Sequence, residues 1–199
     1  MNYTSAPVSA RFAARRRPVL VLACAGALAL GLSACGKTNV PSSAENDGVY
    51  VAAGPITYQL QVSRELNQYA TEDKQYLMGL SPSELSLTPT QEWYMVSLWA
   101  KNQTGRPEQT SDNFDIVDTQ GDHYYPVPVN PSLNPYAWGA QSLPPGGIEP
   151  APDTTASFGP TQGALLLFKL NTTVYDNRPL TLEIRAPSGK VWATIELDL

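Results

Sequence analysis

The stretch Trp93-Tyr94-Met95-Val96-Ser97-Leu98-Trp99-Ala100 decides the fold, because it is apolar on both faces of an extended chain except at Ser97. Tyr94, Val96 and Leu98 fall on one side, and Trp93, Met95 and Trp99 on the other. A strand covered on both faces lies in the interior of its sheet. It stops at Asn102-Gln103-Thr104-Gly105-Arg106-Pro107, a run of turn formers. Working toward the N-terminus, Thr71-Glu72-Asp73-Lys74 places a capping hydroxyl and two acids ahead of Tyr76, Leu77 and Leu80, which predicts a short helical turn. Before it, Ile56, Tyr58, Leu60 and Val62 alternate with Thr57, Gln59, Gln61 and Ser63, the period of a half-buried strand.

Toward the C-terminus, Phe114 to Val117 and His123 to Val129 flank Asp118-Thr119-Gln120-Gly121-Asp122 and predict a hairpin, with Gly121 free to take the positive φ of a tight turn. Residues 130–160 are dense in Pro and Gly and read as a long surface excursion holding one short strand near Thr155 to Phe158. Leu165 to Leu170 reads as a buried strand. Leu180, Leu182 and Ile184, then Val191, Ala193, Ile195, Leu197 and Leu199, alternate with polar residues around Ser188-Gly189 and predict a C-terminal hairpin. About seven strands without a βαβ rhythm favour an all-β, two-sheet antiparallel sandwich.

The strand ending in Lys101-Asn102-Gln103-Thr104, the Phe114-Asp115-Ile116-Val117-Asp118 hairpin with Gly121, and Pro145-Gly146-Gly147 ahead of Leu165-Leu166-Leu167-Phe168-Lys169-Leu170 resemble the immunoglobulin-like accessory domains of secreted bacterial lipoproteins. The resemblance spans residues 54–199 and implies an immunoglobulin-like β-sandwich. The Cys-Trp-Cys core of immunoglobulin domains is absent, and the insert around Pro131 to Pro152 is longer than that pattern requires.

The first 34 residues have a different character. Arg15-Arg16-Arg17 precede an apolar run from Val19 to Leu32, the charged and apolar regions of a secretion signal. The run is too short to serve as a permanent span. It closes on Leu32-Ser33-Ala34-Cys35-Gly36, which resembles the lipobox of bacterial lipoproteins. That resemblance implies cleavage after Ala34, a diacylglyceryl group with palmitate-type acyl chains on the Cys35 sulfur, and attachment to the extracytoplasmic face of the cell membrane. Two or three acyl chains make such an anchor stable. The pair Arg16-Arg17 leaves both the Sec and the twin-arginine export routes open. The expected organisation is a signal peptide over 1–34, lipidated Cys35 with a small, polar, flexible tether over 35–53, and the sandwich over 54–199.

Composition narrows the function. The chain has 199 residues, 42% of them apolar and only 16% charged, with 18 Pro and 14 Gly, which suits one strand-and-turn domain. The first 34 residues hold four of the 13 basic side chains and none of the 18 acidic ones, leaving 9 basic against 18 acidic, a formal charge of −9. Such a surface repels phosphate backbones, so nucleic acid is not an expected partner. Cys24 lies in the signal and Cys35 takes lipid, so no disulfide is expected.

Chemistry-bearing residues are sparse. His123 is the only histidine and no Gly-x-Ser-x-Gly elbow accompanies it, so no catalytic residue is assigned and the chain reads as non-enzymatic. Soft-metal capture lacks ligands, and no cofactor is called for. Asp112, Asp115, Asp118 and Asp122 are spaced unlike a calcium loop and read as solvated or turn-forming acids. Glu183 and Glu196, which could face each other across the C-terminal hairpin, read the same way. Tyr124, Tyr125, Tyr136 and Trp138, on or beside the Pro-rich excursion, are the candidate ligand-contact aromatics, with capping of an open sandwich end as their other reading. The expectation is an anchored envelope module that binds another envelope component, a protein or a glycan. Carbohydrate or peptidoglycan recognition through the loop aromatics stands as the alternative, and a carboxylate-dependent hydrolase as a third.

Overall fold

The computed structural model describes residues 39–197. In chain order they form β1 (Ser43–Ala44), β2 (Tyr50–Ala53), β3 (Ile56–Leu66), a 3-10 turn (Lys74–Leu77), α1 (Pro82–Leu85), β4 (Gln91–Asn102), β5 (Glu108–Gln109), β6 (Phe114–Val117) and β7 (His123–Tyr124). There follow β8 (Ser142–Leu143), β9 (Ile148–Glu149), α2 (Thr155–Phe158), β10 (Ala164–Asn171), a second 3-10 turn (Thr172–Tyr175), β11 (Leu180–Arg185) and β12 (Val191–Leu197).

Two sheets face each other. One has the order β1-β12-β11-β6-β7, the other β10-β4-β3-β2, with β9 also paired to β4 and β5-β8 forming a small separate ribbon. Pairing between these strands is antiparallel except for β1 beside β12. The chain is an all-β antiparallel sandwich. Its main core joins Tyr58, Leu60, Tyr94, Val96, Leu98 and Phe168 of one sheet to Phe114, Ile116, Leu182, Ile184 and Ile195 of the other.

Strand β4 lies between β3 and β10, as its two apolar faces require. Its second face, Trp93 and Met95, joins Leu66, Leu165 and Leu167 in a second core covered by Tyr76, Leu77, Tyr136 and Ala156 from the two long connections. The excursion is thus partly a lid on the larger sheet. Buried Asn134 fastens it by donating from Nδ2 to the carbonyls of Tyr76 (2.9 Å) and Met78 (3.2 Å), while Oδ1 accepts from the Tyr136 N–H.

Several local expectations are corrected. A register shift between Leu60 and Val62 marks a bulge in β3, and the extra residue turns Val62 from the main core toward the second one. The helical turn at Lys74–Leu77 forms, but Thr71 does not cap it. Asp73 occupies the N-cap position, and its carboxylate accepts from the Asn67 N–H and Arg64. The second arm of the 114–129 hairpin stays in the sheet only through Tyr124, since Pro126 and Pro128 lack ladder donors. Its turn is as expected, with Gly121 at φ 85°. Thr155–Phe158 is a helical turn rather than a strand: Ser157 Oγ accepts from the Thr154 N–H at the helix start, and the sequence Thr-Ala-Ser-Phe has no alternation of burial to offer a sheet.

The folded unit begins within the tether expected over 35–53. It starts at Val40, β1 pairs with β12, and β2 pairs with β3. Val51 and Ala53 are buried in the main core, and this burial offsets the entropy of ordering a polar, Gly-flanked segment. Leu32, Ser33, Ala34 and Cys35 lie outside the described residues. Among the described residues no helix is long and apolar enough to cross a membrane.

Candidate functional site

After β7 the chain runs along the open side of β10. Val127 donates to the Leu167 carbonyl (2.7 Å), Trp138 to the Leu165 carbonyl (2.8 Å), and Leu165 in return to the Tyr136 carbonyl (2.7 Å). This backbone stitching leaves a cleft of about 300 Å³ between Pro126–Val129, Leu165–Leu167 and Trp138, with Asp112 and Phe114 completing its wall. A second cleft of about 290 Å³ lies between Pro131, Pro135 and Pro150, floored by Ala137, Ala156 and Ala164 and bordered by Glu149. Ala140 borders both clefts and is exposed. Proline walls fix the shape of each, because their φ angles are locked.

Glu149 is the unusual group of this region. It is placed by Asn102, whose fully buried amide donates to the carbonyls of Arg106 (2.7 Å), Leu143 (2.9 Å) and Pro144 (3.1 Å) and so holds the turn that leads into β9. Gly146 completes that turn at φ 73°. On β9, Glu149 lies opposite Ala100 and is 4% exposed. Its Oε1 accepts a long bond from the Gly139 N–H (3.4 Å), and Oε2 has no donor within hydrogen-bonding distance. Burial pushes its pKa up to about 7, although the Gly139 N–H and the neighbouring Gln141 and Thr110 draw it down. A carboxyl in this state holds a proton near neutral pH or attracts a cationic group.

The four candidate aromatics do not converge on one surface. Tyr136 is 6% exposed, donates from its hydroxyl to Gln75 Oε1 (2.7 Å) and meets Tyr76 edge to face at 5.0 Å, so its ring packs in the second core. Trp138 is half-buried, tilted against Tyr58 at 6.0 Å and edge-on to Phe114 at 5.3 Å, and donates from Nε1 to the Ser111 carbonyl (3.0 Å). It still borders the first cleft. Tyr124 packs on the main core and donates to Asp118 Oδ2 (3.3 Å). Tyr125, 67% exposed, stacks beside the His123 ring at 6.4 Å.

The acids are engaged locally. Asp118 Oδ1 accepts from the N–H groups of Gln120 and Asp122, and Oδ2 from Asn177 and Tyr124. Burial raises the pKa of Asp118, but these donors outweigh it and hold it below the ordinary range. Asp115 is buried beneath His123 (Nδ1 at 2.5 Å) and Arg185 (Nε at 2.6 Å), and Glu183 also binds Arg185. Glu196 lies opposite Thr181 and Glu183 opposite Thr194, so the two acids are offset rather than paired. Asp112 stands apart at the first cleft. Among the described residues no three His, Cys, Asp or Glu side chains converge as metal ligands.

Sequence reasoning missed Glu149. The available signal was its isolation, as the sole Asp, Glu, Lys or Arg between Asp122 and Asp153.

No family model and no curated protein matches the chain. Among solved structures, the yjhA protein from Bacillus subtilis is similar over 77% of this chain and 99% of its own, with a TM-score of 0.50 and 11% identity. An uncharacterized β-sandwich protein from Clostridium difficile is matched over 82% of this chain and 99% of its own, with a TM-score of 0.42 and 9% identity. At such identities, the likeness to the Bacillus subtilis protein is one of fold.

Proposed function

We propose that the chain is an exported, lipid-anchored and non-enzymatic envelope protein whose sandwich holds another envelope component, a protein, in the clefts flanking residues 137–140. The observation that carries this reading is the pair of adjoining, proline-walled clefts beside β10, a strand packed on both faces by the two cores. A preformed concavity on a rigid support is what a binding module needs. The lipobox-like Leu32-Ser33-Ala34-Cys35 supports the anchor. The non-enzymatic reading is supported by Asp115, which pairs with His123 and with Arg185, with no serine hydroxyl joined to His123 among the described residues. Glycan binding through Tyr136 and Trp138 is disfavoured because both rings are committed to packing.

Co-purification from native membranes tests the proposal with wild type, Ala140→Trp and Cys35→Ala. Ala140→Trp places an indole at the exposed border shared by the two clefts, so it is expected to lose the bound component with an unchanged melting temperature. Cys35→Ala is expected to leave the membrane fraction. Full retention of the component by Ala140→Trp overturns the cleft assignment, and a membrane-bound Cys35→Ala protein overturns the anchor.

A further inference from the structure

The outer face of the larger sheet is covered only in part. Val62, Leu66, Trp93, Met95, Leu165 and Leu167 lie under the second core, which does not extend to Tyr50, Gln59 or Trp99. These three stand in one row across β2, β3 and β4, since Tyr50 is opposite Gln59 and Gln59 is opposite Trp99. Residues directly opposite share a face, so the row presents a ring, an amide and a ring. Adjacent strands are about 4.8 Å apart, which sets the two rings on the order of 10 Å apart, close to the length of two linked pyranose units.

We propose that this row is a binding platform for an extended β-linked oligosaccharide bearing a carboxylate. Sugars offer one apolar face of C–H groups and a rim of hydroxyls, so aromatic faces and fixed amides recognise them together. Tyr50 is 48% exposed and Trp99 is half-buried, so the platform is open yet anchored. The amide between them is oriented in advance: Gln59 Nε2 donates to the Gly48 carbonyl (2.5 Å), and its Oε1 accepts from Gln61 Nε2 (2.8 Å). A depression of about 200 Å³ sits among Tyr50, Thr57, Trp99, Lys101 and Ile148. Lys101 is the only charged side chain in its lining, in a domain with twice as many acids as bases. This local reversal of sign selects a carboxylate and disfavours cationic ligands. The platform is separate from the clefts and does not depend on acylation of Cys35.

Titration calorimetry of the full-length protein in detergent tests it, with the (GlcNAc–MurNAc)2 tetrasaccharide as the acidic probe and chitotetraose as the neutral one. Wild type is expected to bind the acidic probe saturably and more tightly than the neutral one. Tyr50→Ala, an exposed change checked by its melting temperature, is expected to weaken both at least tenfold. Lys101→Gln is expected to equalise the two probes, and Ala140→Trp to leave both unchanged, which separates this site from the clefts. Absence of saturable binding in wild type, undiminished affinity in Tyr50→Ala, or loss of binding in Ala140→Trp overturns the proposal.

Discussion

Glu149 links stability to pH in a direction opposite to most protein carboxylates. Its folded-state pKa of about 7 lies above the ordinary 4.5, because burial disfavours the charged form. The folded chain therefore holds the proton more tightly than the unfolded chain does. Its contribution to stability is fully present below about pH 4.5 and is lost as pH rises through about 7, amounting to about 3 kcal/mol. Glu149→Gln stays neutral throughout. It is expected to melt like wild type near pH 4 and well above it at pH 8, by scanning calorimetry, and equal midpoints at both pH values would contradict the assignment. Glu92, raised to about 7 by burial and by nearby Glu65, keeps part of the pH dependence in that variant. At this scale the sequence was least informative. Composition marks a tyrosine or tryptophan as a candidate contact, but only the fold tells that Tyr136 spends its ring on Tyr76 while Glu149 is left without a partner at Oε2.

At the scale of elements, the second core explains why so much chain is spent between strands. The segments between β3 and β4 and between β7 and β10 supply Tyr76, Leu77, Tyr136 and Ala156 to cover Trp93 and Met95. Asn134 ties the two segments together through two hydrogen bonds, to the carbonyls of Tyr76 and Met78, and its Oδ1 accepts from Tyr136 within its own segment. Asn134→Ala leaves buried backbone groups without partners, so a loss of about 1–3 kcal/mol is expected in urea unfolding. A change within error would mean that the lid is held by apolar contact alone. The long strands were legible because alternation, or its absence over Trp93–Ala100, reports burial directly. The bulge in β3 and the helical turn α2 were not, since each depends on what packs against it rather than on local periodicity. The short strand β2 was masked by the small, polar residues before it, although Val51 and Ala53 carry the right spacing.

The whole molecule is a two-sheet sandwich with clefts beside β10 and an aromatic row across β2, β3 and β4, and the proposed anchor is acylation at Cys35. The two-sheet class followed from strand count and turn chemistry. The sheet order did not follow, because the excursion hides which strands are neighbours, and β9 reaches β4 only through the turn held by Asn102. The proposed anchor would govern where any ligand is met, so it is the claim on which the functional reading depends. Intact-mass spectrometry of the mature protein extracted from membranes of its native host tests it most directly. The account predicts a polypeptide beginning at Cys35 and carrying a diacylglyceryl group, whereas an unacylated chain, or one beginning at any other residue, would contradict it.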